Sequence, residues 1–124
     1  MEFIEAPPFT RHLPDYLNDE DYRELQARLG ANPEFGELMP GTGGFRKARW
    51  ADARRGKGRR GGLRIIYYHF RSYHQIWLMT LYDKDEASDL TASEKKALKA
   101  AIEQELEARA ARRTVGLRRV RRIR

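Results

Sequence analysis

The chain has 124 residues, no cysteine, 35% charged residues and a formal net charge of +7. That length suits one domain with a modest core, and the lack of cysteine excludes disulfides and a thiolate nucleophile. No apolar run approaches the roughly 18 residues of a membrane span, and MEFIEAPPF has neither the basic start nor the apolar stretch of a signal peptide, so a soluble cytoplasmic protein is expected.

Residues 2–6 alternate briefly and predict a strand that Pro7 and Pro8 close. FTRHLPDYL predicts a short helix bent at Pro14. NDEDYRELQARLGANP predicts a second helix, with Asn18 or Asp19 as cap and acids in its first turn. Tyr22, Leu25 and Leu29 form its apolar stripe, and Gly30 and Pro33 stop it. ELMPGTGG reads as a loop. Strands follow at residues 45–50, 63–70 and 75–82. A Gly/Arg/Lys-rich loop over residues 51–62 joins the first two, and a tight turn at residues 71–74 joins the last two. LTASEKKALKAAIEQELEAR opens with Thr91 and Glu94 at capping-box spacing, and Ala97, Leu98, Ala101, Ile102 and Leu106 give it an apolar face. The predicted class is α+β, an N-terminal strand and helices packed on an antiparallel sheet, with a C-terminal helix.

Charge is strongly segregated along this scaffold. Residues 1–42 carry three arginines against nine acids, and residues 43–71 carry ten Lys/Arg against Asp52 alone. Residues 72–108 are acidic again, with four lysines against eight acids, and residues 109–124 hold eight arginines and no acid. The chain therefore divides into a domain over residues 1–108 and an Arg-rich tail over residues 109–124. That tail reads as a continuation of the last helix up to Gly116, as a segment that orders on RNA, or as one without a selected function. A concentrated basic block is the footprint of a polyanion-binding surface, most often for nucleic acid. Charge alone favours that no more than it favours a solvated basic face.

Strand alternation places the cations more narrowly. Ala48 and Trp50 suit the core side of their strand, which leaves Lys47 and Arg49 together on the other face. Arg64 shares a face with Ile66, Tyr68 and Phe70, and Lys84 lies just beyond Tyr82 at the end of the third strand. With the three strands adjacent, Lys47, Arg49, Arg64 and Lys84 converge on one surface. Like charges in close register repel, and a bound polyanion would relieve that repulsion. His12, His69 and His74 have no partner at triad or metal-ligand spacing, and no Gly-Lys-Ser/Thr opens a helix as a P-loop requires. Trp50, Trp77 and Tyr67 read as packing residues.

The segments GTGGFRKARW, GKGRRGGLRIIYYHF and IWLMTLYDKDEASDLTASEKKAL, in that order, resemble the HigB branch of the RelE superfamily, toxins of type II toxin–antitoxin pairs. The resemblance spans residues 3–106. It implies a small RelE-like fold and an endoribonuclease that enters the ribosomal A site and cleaves translated mRNA. It also implies a cognate antitoxin, a helix-turn-helix protein, as partner. In such toxins the RNA 2′-hydroxyl attacks the neighbouring phosphate, so neither metal nor other cofactor is expected. The matching positions are Lys47 and Arg49, Arg64, and Lys84. Arg49 and Arg64 would clamp phosphate, because a planar guanidinium stays charged. Lys47 and Lys84 would share proton transfer and electrostatic work. Arg46, Lys57, Arg59, Arg60, Tyr68 and Tyr82 are the expected RNA contacts.

Leu90 stands where some relatives carry a tyrosine. Tyr82, Tyr67 or Tyr68 would then have to serve, and a phenol with a pKa of about 10 is a poor base. Two other functions keep the same fold. One is a ParE-like toxin that poisons DNA gyrase without cleaving RNA. The other is a non-catalytic RNA-binding or regulatory module, which Leu90 favours.

Overall fold

Leu63–Phe70 carries β-branched and aromatic residues at most positions, the composition of a strand covered on both faces. It forms the centre of the sheet. The computed structural model describes residues 1–52, 62–87 and 89–123, the side chains of residues 114–123 excepted. In chain order the elements are β1 (Glu2–Glu5), α1 (Pro7–Tyr16), α2 (Asp19–Ala31), β2 (Glu37–Leu38), β3 (Arg46–Trp50), β4 (Leu63–Phe70), a 3₁₀ turn (Arg71–Tyr73), β5 (Gln75–Asp83) and α3 (Ala92–Ile123). The fold is α+β, with one five-stranded sheet in the order β1-β5-β4-β3-β2.

The three-stranded meander is antiparallel as expected, and two further strands extend it. β1 joins the β5 edge in parallel register, Glu2 opposite Gln75, which makes the sheet mixed. β2 pairs antiparallel with β3 at the other edge, where the sequence suggested only a loop. Pro7 and Pro8 do not merely end β1. They occupy the first positions of α1, where a missing N–H costs nothing and the fixed φ suits the helix. The helix runs through Pro14 to Tyr16.

Each face of the sheet has its own core. On one, α1 and α2 bury Phe9, Tyr16, Leu25 and Leu29 against Ala48, Leu63, Ile65, Tyr67, Ile76, Leu78 and Leu81. On the other, Ile102 of α3 packs with Met39, Phe45, Ile66 and Phe70. The Asn18 side chain caps α2 by accepting the Asp21 N–H at 2.7 Å. Glu5 fastens that layer to β1, accepting hydroxyl bonds from Thr10 of α1 and Tyr22 of α2 at 2.7 Å each. Burial and the Glu5 carboxylate both push the Tyr22 phenol above its ordinary value.

The start of α3 is fixed by the capping box its sequence predicted. The Thr91 hydroxyl accepts the Glu94 N–H at 3.1 Å, and the Glu94 carboxylate accepts the Thr91 N–H at 2.8 Å. From there the seam facing the sheet takes Lys95, Leu98, Ile102, Glu105 and Arg109, at alternating three- and four-residue steps. Leu106, expected on that stripe, is 42% exposed instead. Gly43 passes close under the helix in a left-handed conformation (φ 77°), where a Cβ would come within 3.0 Å of Ile102. α3 continues without interruption past Ala108 to Ile123.

Tyr67 shows how the two layers are registered. Its ring is fully buried, and its hydroxyl accepts the Gly36 N–H and donates to the Pro33 carbonyl, both at 2.8 Å. Burial raises this phenol's pKa, so it stays a donor. One side chain thus positions the turn that leads into β2. Tyr67→Phe leaves the buried Gly36 N–H and the part-buried Pro33 carbonyl without their partner and is expected to destabilise the fold by about 1–3 kcal/mol, read from urea unfolding midpoints at unchanged m.

Candidate nucleic-acid interface

The cations of β3 and β4 fall where strand alternation put them. Ala48 and Trp50 pack into the α1/α2 core, so Lys47 and Arg49 stand on the α3 side of the sheet. Arg64 is on that same side, with Ile66 and Phe70. Arg49 and Arg64 are direct cross-strand partners, a position that holds Cβ atoms about 5 Å apart. Across β4, Arg64 in turn faces Tyr82 on β5. The result is a row, Arg49–Arg64–Tyr82, across three strands, with Lys47 one row back opposite Ile66. Arg49 is exposed, Arg64 is half-buried, and an Arg64 Nη1 donates to the Leu63 carbonyl at 3.2 Å.

Tyr82 reaches this face through an irregularity in β5. Ile66 pairs with Thr80 while Tyr67 pairs with Leu78, so Met79 is an extra residue in the ladder. The bulge lets Leu78 and Leu81, three apart, both enter the α1/α2 core. It also turns Tyr82 to the side of Arg64, as bulges beside functional sites commonly do. Among the described residues the Tyr82 hydroxyl is buried with no hydrogen-bond partner. Burial pushes its pKa up; Asp89 adds to this and Arg64 opposes it. It keeps its proton near neutrality and is suited to donate rather than to act as a base. Tyr82 also lines a cleft of about 320 Å³ that includes His12, Glu86, Asp89 and Glu94.

Two groups at the site were not anticipated. Asp89 lies 3.6 Å from the Lys47 ammonium and 3.6 Å from that of Lys95, bridging β3 to the first turn of α3. The backbone N–H of Leu90 bonds the same carboxylate at 2.7 Å. That bond first, then Lys47 and Lys95, hold Asp89 below the usual carboxylate range. The only hint in the sequence was an aspartate two residues before a capping threonine. Leu90 itself packs against the core on the α3 side, so it does structural work here.

The other expected residues are placed less centrally. Lys84 is exposed in the turn after β5, and its N–H extends the ladder to the Gly62 carbonyl at 2.9 Å. Arg46 points to the opposite face, and its Nη1 donates to the Gly36 carbonyl at 2.7 Å. It orders the β2 turn and does not join the cluster. Tyr68 packs its ring 5.4 Å from Phe45 and 4.7 Å from Phe70. Lys57, Arg59 and Arg60 lie outside the described residues. The acidic helix α2 sits on the far face with α1, in which Arg11 balances Asp15, while Glu37 is the register partner of Lys47. Among the described residues no group of His, Cys, Asp and Glu could hold a metal ion, and no helix is long and apolar enough to cross a membrane. No protein-family model matches the chain.

The Asp89 bridge has a testable titration. A carboxyl with a lowered folded pKa adds stability above its unfolded value of about 3.9, and that contribution is lost as pH falls through the folded value. Carboxyl carbon NMR should therefore show Asp89 titrating below the exposed aspartates. Lys47→Met should raise it only part of the way, because the Leu90 N–H bond remains. An unchanged value in Lys47→Met would remove the bridge.

Proposed function

We propose that the chain is the toxin of a type II toxin–antitoxin pair, a HigB-type member of the RelE superfamily that cleaves translated mRNA on the ribosome. The observation that supports this best is the Arg49–Arg64 pair, two guanidinium groups directly opposite on adjacent strands with Tyr82 completing the row. An RNA phosphate reaching this row would meet two planar guanidinium donors at once, the arrangement that suits charge-assisted hydrogen bonds. The segments resembling HigB toxins carry these same residues. The partners are the ribosome and its mRNA in the cytoplasm, and a helix-turn-helix antitoxin that blocks the basic face.

The chemistry is transesterification within the RNA. The 2′-oxygen forms a bond to the adjacent phosphorus, the P–O5′ bond breaks, and the 2′-proton leaves as the 5′-oxygen gains one. Arg49 and Arg64 clamp the non-bridging oxygens and stabilise the dianionic transition state. Lys47, steadied by Asp89, and Lys84 supply further positive charge and move protons. Tyr82, with its hydroxyl buried, backs Arg64 from the neighbouring strand. No step requires a metal held by the protein.

Primer extension on mRNA after brief induction tests this. New 5′ ends inside translated codons are expected, and Arg64→Ala should reduce cleavage about 100- to 1000-fold. Arg49→Ala should lose activity while its unfolding free energy stays within about 0.5 kcal/mol of the parent, since the side chain is exposed. Supercoiling defects without cleavage would instead select a gyrase poison, and RNA binding with neither effect a non-catalytic module.

A further inference from the structure

At the opposite end of β4 from Arg64, about 20 Å along the strand, lies a second concavity that the proposed cleavage does not use. It encloses about 400 Å³ and is lined by Tyr73, Gln75, Arg109, Arg112 and Arg113. Arg109 is its fixed point. Its side chain is 11% exposed, with Nε donating to Glu105 at 2.8 Å and Nη1 to Gln75 Oε1 at 2.7 Å. Its guanidinium carbon lies 3.9 Å from the Phe70 ring centre and 4.5 Å from that of Tyr73. A guanidinium held this firmly loses little freedom when an anion arrives.

The rest of the pocket is open. The Arg112 side chain is 67% exposed and 3.6 Å from the same Glu105 carboxylate, and Arg113 is exposed beside it. Three guanidinium groups against two carboxylates, Glu105 and the Glu2 that accepts the Gln75 amide, leave the pocket positive. Tyr73, 37% exposed, is the only exposed Phe, Tyr or Trp among the described residues. Beyond Arg113 the sequence adds five more arginines and no acid. Cations beside an exposed ring in a concave site are the combination that single-stranded nucleic acid meets, backbone on charge and base on ring.

We propose that this pocket is a second contact for single-stranded RNA, with a backbone phosphate on Arg112 and Arg113 and a base stacked on Tyr73. It deepens the reading of the chain as RNA-directed, and its test stands apart from cleavage. The full chain is titrated with an unstructured RNA of about 12 nucleotides, by fluorescence anisotropy over a range of salt. Arg112→Ala/Arg113→Ala should weaken binding at low salt and reduce the log–log salt slope by about 0.7, the value for one single-strand phosphate contact. Arg11→Ala/Arg23→Ala removes two exposed arginines from the far face at equal net charge, and should leave the slope unchanged. Tyr73→Leu should cost about 5- to 150-fold in affinity at a nearly constant slope.

Equal losses in the two double variants would mean that net charge alone acts, and would overturn the site. So would an unchanged slope in Arg112→Ala/Arg113→Ala, or a loss seen only with anionic phosphatidylglycerol vesicles and not with RNA. Full cleavage by Arg64→Ala, together with the expected slope change, would sink the proposed catalytic cluster and leave this pocket standing.

Discussion

A central strand covered on both faces has little room for a charge, and β4 carries one. Leu63, Ile65 and Tyr67 fill the core under α1 and α2, while Ile66 and Phe70 fill the core under α3. Full burial of a guanidinium in either core carries a desolvation cost larger than any one of those contacts returns. Arg64 is tolerated because it lies at the end of β4 that α3 leaves open. The helix begins at Ala92, fixed by its capping box, and first packs apolar side chains on the sheet at Leu98 and Ile102. Where α3 starts therefore decides where a basic surface can exist.

The same constraint accounts for the polar company Arg64 keeps. A strict alternation along β5 that buried Ile76 and Leu78 would also have buried Tyr82 in the α1/α2 core and turned Leu81 away from it. The extra residue Met79 exchanges them, so a packing requirement at Leu81 and a polar hydroxyl beside Arg64 are met by one bulge. Stability and site geometry are coupled at this point. A change that restored regular pairing there would disturb the core and the site together.

Much of this is legible in the sequence, because strand alternation is a strong local signal. Ala48 and Trp50 announce the buried face of β3, and so hand Lys47 and Arg49 to the other. The Thr91–Glu94 cap was equally plain, since both bonds are made within four residues. What stayed hidden depended on partners distant in sequence. Glu37–Leu38 becomes a strand only because β3 presents a free edge to it. Arg46 was expected to contact RNA although alternation sets it with Ala48 and Trp50, and the Gly36 carbonyl holds it there. The β5 bulge left a trace in the three-residue spacing of Leu78 and Leu81, which strict alternation does not accommodate. Asp89 reads as an ordinary loop acid until the fold brings Lys47 and Lys95 to it.

The long C-terminal helix is held differently at its two ends, and that difference matters for charge. At its start Lys95 meets Asp89, and through it Lys47, in a bridge that is solvent-exposed on the carboxylate side and worth little alone. At Arg109 the anchor is stronger in kind, with two charge-assisted or polar hydrogen bonds and two ring contacts around one guanidinium. Between them Leu98 and Ile102 supply the apolar seam. Arg109, the first of the eight tail arginines, is thus spent on architecture. It fixes the direction in which the helix leaves the sheet, and with it the position of the basic stretch that follows.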